Sequence, residues 1–149
     1  MGLQFYGAQN FEPKFFTGGL TRFYLPLLFD IVGQEKPGLI VTLGLGDAQP
    51  HLTFCQAVLE QGLLSCCVGV RRIRADESAI DDPAWQSAQN VTAELFATVS
   101  QLLEADAVKA ATNFAEGSVD VLLIDDIDSG ETMRQELEIW KSKIGRAHV

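Results

Sequence analysis

A run of apolar residues, Gly38-Leu39-Ile40-Val41-Thr42-Leu43, stops abruptly at Gly44-Leu45-Gly46-Asp47-Ala48, and this junction limits the folds open to the chain more than any other stretch. A continuous apolar run of this kind suits a parallel strand buried on both faces. The glycines after it suit a bend where backbone comes close to something. The helix expected from Pro50 would present free N–H groups at the same place. The pattern fits binding of a nucleotide-type ligand, and it equally fits a core strand ending in an ordinary tight turn.

The flanking segments build a layered α/β unit around that strand. Leu52, Cys55, Val58 and Leu59 recur at helical spacing up to Gly62, and Ser65-Cys66-Cys67-Val68-Gly69-Val70 reads as a second strand. Strand, helix and strand within about 30 residues make a βαβ unit. Upstream, residues 1–20 are aromatic and Gly-rich without a period, and read as an irregular segment covering the core. A helix is expected over 21–32, with Phe23, Leu27 and Ile31 on one stripe and its regular part starting at Pro26. Residues 71–86 read as a polar loop whose Arg71, Arg72 and Arg74 could grip a phosphate or carboxylate, or simply lie solvated beside nearby acids. Beyond it a helix is expected over 87–97, a short strand over 99–103, a short helix over 107–114 and a second buried strand over 119–126. Asp128 followed by Glu131 has the spacing of a capping pair, and the helix it opens carries Met133, Leu137 and Trp140 on one face. This order predicts a Rossmann-like, doubly wound parallel sheet in a three-layer α/β/α arrangement, truncated at its C-terminus.

Composition excludes several function classes. A chain of 149 residues with 47% hydrophobic and 21% charged residues reads as one domain or part of one. The balance of 11 Lys+Arg against 20 Asp+Glu, a net −9, argues against nucleic acid or an anionic membrane as partner. No apolar run approaches the roughly 20 residues of a membrane span, and the N-terminus lacks the features of a signal peptide. A cytoplasmic protein is therefore expected. Cys55, Cys66 and Cys67 fit neither a disulfide framework nor a zinc site and read as buried free thiols, with Cys66 and Cys67 pointing to opposite strand faces. No metal site is expected.

In doubly wound folds ligands sit beyond the carboxyl ends of the strands, where strand order reverses. Those ends carry residues 44–47, 71–74, 104–106 and 125–128, so the topology should gather these turns into one crevice.

Over residues 25–143 the chain resembles the class I S-adenosylmethionine-dependent methyltransferases. The likeness is to the small methyltransferase domains found alone or fused to bacterial glycosyltransferases. The residues that carry it are Leu25-Pro26 to Asp30, Leu43-Gly44 to Asp47, Phe54-Cys55-Gln56-Ala57-Val58, and Ser100 with Leu102-Leu103. Phe114-Ala115, Gly117-Ser118-Val119-Asp120, Ile124-Asp125 and Glu138 with Trp140 continue the series.

The resemblance implies S-adenosylmethionine as cofactor and methyl transfer to a sugar or other small hydroxyl-bearing acceptor in glycan biosynthesis, with a fused or partner glycosyltransferase. It places Gly44, Leu45 and Gly46 against the cofactor's methionine end, Asp47 at the border of that pocket and Asp106 near the adenine. Asp125 or Asp128 would be the base for an acceptor hydroxyl. The chain departs from the family pattern at Thr42, which stands where an acid usually precedes the glycines. It departs again at Arg71, where an acid usually accepts both ribose hydroxyls, and at Leu123 and Asp128, in place of two histidines. An Arg offers no acceptor lone pair. The alternative is a degenerate, non-catalytic Rossmann-like binding or scaffold domain attached to a glycosyltransferase. A nicotinamide-dependent oxidoreductase is a weaker reading still, since Gln49 stands where a third glycine is needed.

The final residues, Lys143-Ile144-Gly145-Arg146-Ala147-His148-Val149, are the translation of aagatcggaagagcacacgtc, which resembles a sequencing-library adapter. The natural sequence is therefore expected to stop near Lys143, with residues 143–149 an artefactual tail.

Overall fold

In the computed structural model, which describes residues 24–73, 82–125 and 129–145, the strand at the glycine junction is β1, Leu39–Leu43, and it lies inside the sheet. The expected N-terminal segment, Arg74 and Asp128 lie outside the described residues. β1 pairs in parallel with β2 (Cys66–Arg72) on one side and with β4 (Val121–Ile124) on the other. β2 in turn pairs in parallel with β3 (Ser100–Ala105), so the order is β3-β2-β1-β4. The chain steps outward from β1 to β2 to β3 and then crosses back to the far side of β1. Strand order thus reverses between β1 and β4, which is where a ligand crevice forms in such sheets.

Helices cover both faces, and this explains the unbroken apolar run of β1. On one face lie α1 (Leu25–Glu35), α2 (Gln49–Glu60) and α3 (Pro83–Leu95), with Leu28, Val32, Ile40, Phe54, Val58, Cys67 and Phe96 in a common core. Val41, Leu43, Val68, Val70 and Val119 form the core of the other face. They pack with Ala110 of the single turn α4 (Ala107–Ala110) and Trp140 of α5 (Gly130–Trp140). Successive residues of a strand point to opposite faces, so both Ile40 and Val41 must be apolar. Trp140 is wholly buried, with its ring centroid 5.1 Å from that of Phe114 and its Nε1–H donating to the Ala107 carbonyl at 2.7 Å. After α5 a 3-10 turn, Lys141–Lys143, brings Ile144 alongside Val119 in a parallel bridge on the outer side of β4.

Several boundaries differ from expectation, each for a local reason. α1 begins at Leu25 with Pro26 in its first turn, as the proline predicts, but runs past the expected end at residue 32 to Glu35. The polar loop expected to reach residue 86 ends at Asp82, whose carboxylate accepts from the Ala84 and Trp85 amides at 3.1 and 3.2 Å and starts α3 at Pro83. The helix expected over 107–114 is one α turn followed by a 3-10 turn, Ala111–Asn113. The cap of α5 is Ser129, whose Oγ accepts from the Thr132 amide at 3.2 Å, while Glu131 takes a hydrogen bond from Arg134 at 3.0 Å. On that helix Trp140 and Glu136 are buried whereas Met133 and Leu137 are exposed, so the inward face is rotated from the predicted one. Cys55 and Cys67 are buried free thiols as expected; Cys66, on the opposite strand face, is exposed. Among the described residues no helix is long and apolar enough to cross a membrane.

Candidate functional site

The site is built where β1 ends. Gly44 continues the ladder, its N–H donating to the Val70 carbonyl at 2.8 Å, but at a φ of +85° that favours glycine. Positive φ recurs at Gly46 (+50°) and Ala48 (+64°), which turns the backbone sharply into α2. Leu45 tucks into the core, while Asp47 stays half-buried and its Oδ1 accepts from the Gln49 amide at 3.1 Å. Beside this bend β4 delivers Asp125, whose N–H donates to the Leu43 carbonyl at 2.8 Å.

Tyr24, at the start of α1, completes the group. Its phenol is pushed up to about 12, first by burial and then by the negative charges of Asp125 and Asp47. The hydroxyl therefore stays protonated at neutral pH, a hydrogen-bond donor in the field of two carboxylates. Residues 24, 47 and 125 come together only through the fold. Nothing in the linear sequence singles out Tyr24.

Two arginines line the same edge, and both are committed to the protein. Arg72 closes a bidentate pair with Glu136, Nε to Oε1 at 2.6 Å and Nη2 to Oε2 at 2.7 Å, while its Nη1 donates to the Asp125 carbonyl at 2.6 Å. A Cβ placed on Gly44 would meet Arg72 Nη1 and the Asp125 carbonyl oxygen, so Gly44 is required by the close approach of this side chain. Arg71, on the opposite face of β2, pairs with Asp82 at 3.1 Å and Glu104 at 3.2 Å, and its guanidinium lies 5.8 Å from the Trp85 ring centroid. Neither a grip on an outside anion nor a solvated loop describes Arg71 and Arg72: both belong to β2, are largely buried and pair with the protein's own acids. Glu136 had a signal in the sequence: it stands four residues before Trp140 and so shares its inward stripe.

The other predicted residues are spread around this core. Thr42 is buried in β1 opposite Gly69 and Leu123, and its Oγ1 has no partner among the described residues. Asp106, at the end of β3, caps α4 by accepting from the Val108 and Lys109 amides at 2.9 and 3.1 Å. Behind the bend sits His51, wholly buried, its Nε2 2.8 Å from Ser100 Oγ and 3.6 Å from Cys55 Sγ. Burial lowers its pKa to about 4, so the ring is neutral at physiological pH. A Cβ at Gly69 would stand 3.0 Å from His51 Nδ1, so the missing side chain makes room for the ring.

Solved structures share this architecture. The chain superposes on a protein classed as a caffeoyl-CoA O-methyltransferase from Staphylococcus aureus with a TM-score of 0.61 and 15% identity, covering 87% of this chain and 54% of that one. A methyltransferase from Geobacter sulfurreducens gives a TM-score of 0.58 and 17% identity, covering 80% of this chain and 54% of the other. The O-methyltransferase TomG from Streptomyces achromogenes, crystallised with S-adenosylmethionine, gives 0.53 and 14% identity, covering 76% and 48%. The fold is thus the Rossmann-like fold of class I methyltransferases, and the chain spans about half the length of these structures. No protein-family model and no curated protein matches the sequence.

Tested against S-adenosylmethionine, the donor set divides. Asp47 beside the glycine bend suits the ammonium of the methionine end. The end of β2 does not suit a ribose: Arg71 presents only donors, and its two acids are already in ion pairs with it.

Proposed function

We propose that the chain is the sheet-bearing part of an S-adenosylmethionine-dependent methyltransferase that acts on a hydroxyl of a sugar or other small acceptor in glycan biosynthesis. The observation that carries this reading is the meeting of the Gly44 bend with Asp47, Asp125 and Tyr24 at the point where strand order reverses. Gly44, Leu45 and Gly46 would border the methionine end, Asp47 would face its ammonium, and Asp106 would lie near the adenine. When bound, the cofactor supplies an electrophilic methyl group. The chain's own task is alignment, because in-line approach of the acceptor oxygen dominates such a transfer. Asp125 would take the acceptor's proton, and the protonated Tyr24 hydroxyl would hold the acceptor oxygen near it.

A second reading, a non-catalytic scaffold of the same fold packed on a glycosyltransferase, is favoured by Arg71, whose place at the end of β2 removes the ribose acceptor. Thermal unfolding with S-adenosylhomocysteine separates the two. With a Kd of about 1 mM, ligand at about 10 mM stabilises the folded state by about 1.4 kcal/mol, a rise of several degrees in Tm. Arg71→Asn, which restores an acceptor without adding charge beside Asp82 and Glu104, should enlarge the rise. Unchanged melting in both proteins would refute the enzyme reading and leave the scaffold.

A further inference from the structure

Arg72 lies against Gly44 at the point where strand order reverses. Its side chain is 12% exposed and that of Glu136 is 3% exposed, so the pair is nearly dry. Hydrogen bonds to both Glu136 carboxylate oxygens and to the Asp125 carbonyl fix the guanidinium. It therefore reaches from the end of β2 past the end of β1 to β4 and α5, directly against Gly44. A planar fork held at three points keeps one geometry far better than a flexible ammonium would. The space that the glycine bend opens is filled by this chain's own side chain.

We infer that the Arg72–Glu136 pair is a gate that sets the affinity of the crevice: a ligand seats against Gly44 only when the guanidinium withdraws from the Asp125 carbonyl. The inference rests on the crevice being the ligand site proposed above. It adds that the resident arginine, rather than the shape of the sheet edge, limits binding. Each binding event must take Nη1 off the Asp125 carbonyl and shift a guanidinium that the Glu136 pair holds in place, so the free protein binds weakly.

The test is calorimetric titration with S-adenosylhomocysteine of the protein and of the double variant Arg72→Ala/Glu136→Leu. Removing both charges leaves neither one buried alone, so folding should survive. Arg72→Lys is the second variant, since it keeps a cation for Glu136 but lacks the Nη1 that lies over Gly44. The double variant is expected to bind at least ten-fold more tightly than the parent, and Arg72→Lys to fall between them. Equal affinity in all three proteins would overturn the gate while leaving the ligand site in place. Silence in all three at millimolar ligand would overturn the gate and the site together, because clearing the space would then admit nothing.

Discussion

Acidification from about pH 7 to about pH 4.5 should remove roughly 2 kcal/mol of stability through His51 alone. Burial lowers the ring's pKa from 6.5 to about 4 in the folded protein, while the unfolded chain keeps the ordinary value. Between those two values the unfolded state binds more protons, so stability is complete above the unfolded pKa and is lost as pH falls towards the folded one. A difference of this size corresponds to a full swing of roughly 3 kcal/mol, most of it lost by pH 4.5. For a domain stable by roughly 5–15 kcal/mol, that is a large part of the total. Urea unfolding followed by the fluorescence of Trp85 and Trp140 across this range gives the measurement, made in parallel on His51→Gln, whose amide can still reach Ser100. Carboxylates titrate in both proteins, so the difference between the two curves isolates the histidine. Equal slopes in parent and variant would show that the ring is hydrated or already charged, and would refute the argument.

Gly44→Ala should lower Tm by several degrees. The new methyl meets Arg72 Nη1 and the Asp125 carbonyl at a φ that costs an L-residue roughly 1–2 kcal/mol before any clash is counted. Asp82→Ala removes the cap of α3 and one ion pair of Arg71, a loss of about 1–2 kcal/mol read from the urea midpoint at unchanged m-value.

The framework was legible because it is local. The apolar run into Gly44 announces a strand buried on both faces, and the helix-spaced residues after Pro50 announce its cover. Their parallel pairing and the crevice at the switch point follow from topology. What the sequence hid depends on partners far away in the chain. The spacing to Trp140 turns Glu136 inward, but its partner Arg72 stands 64 residues earlier and nothing local names it. Tyr24 joins Asp47 and Asp125 only once α1 is laid over the end of the sheet. Arg71 and Arg72 read as loop cations because the acids that engage them, Asp82, Glu104 and Glu136, arrive from three separate elements. Asp82-Pro83 did carry a helix-start signal in plain view, an acid followed by proline at the first helical position. It was masked by the surrounding run of charged residues.

The alternation at Cys66 and Cys67 gives the molecule a chemical clock. One thiol looks outward and two are sealed in the interior, so an alkylating reagent meets a single sulfur while the chain is folded and all three once it opens. At reagent concentrations where alkylation outpaces reclosing, counting modified sulfurs against time reads the opening rate, with no label engineered in.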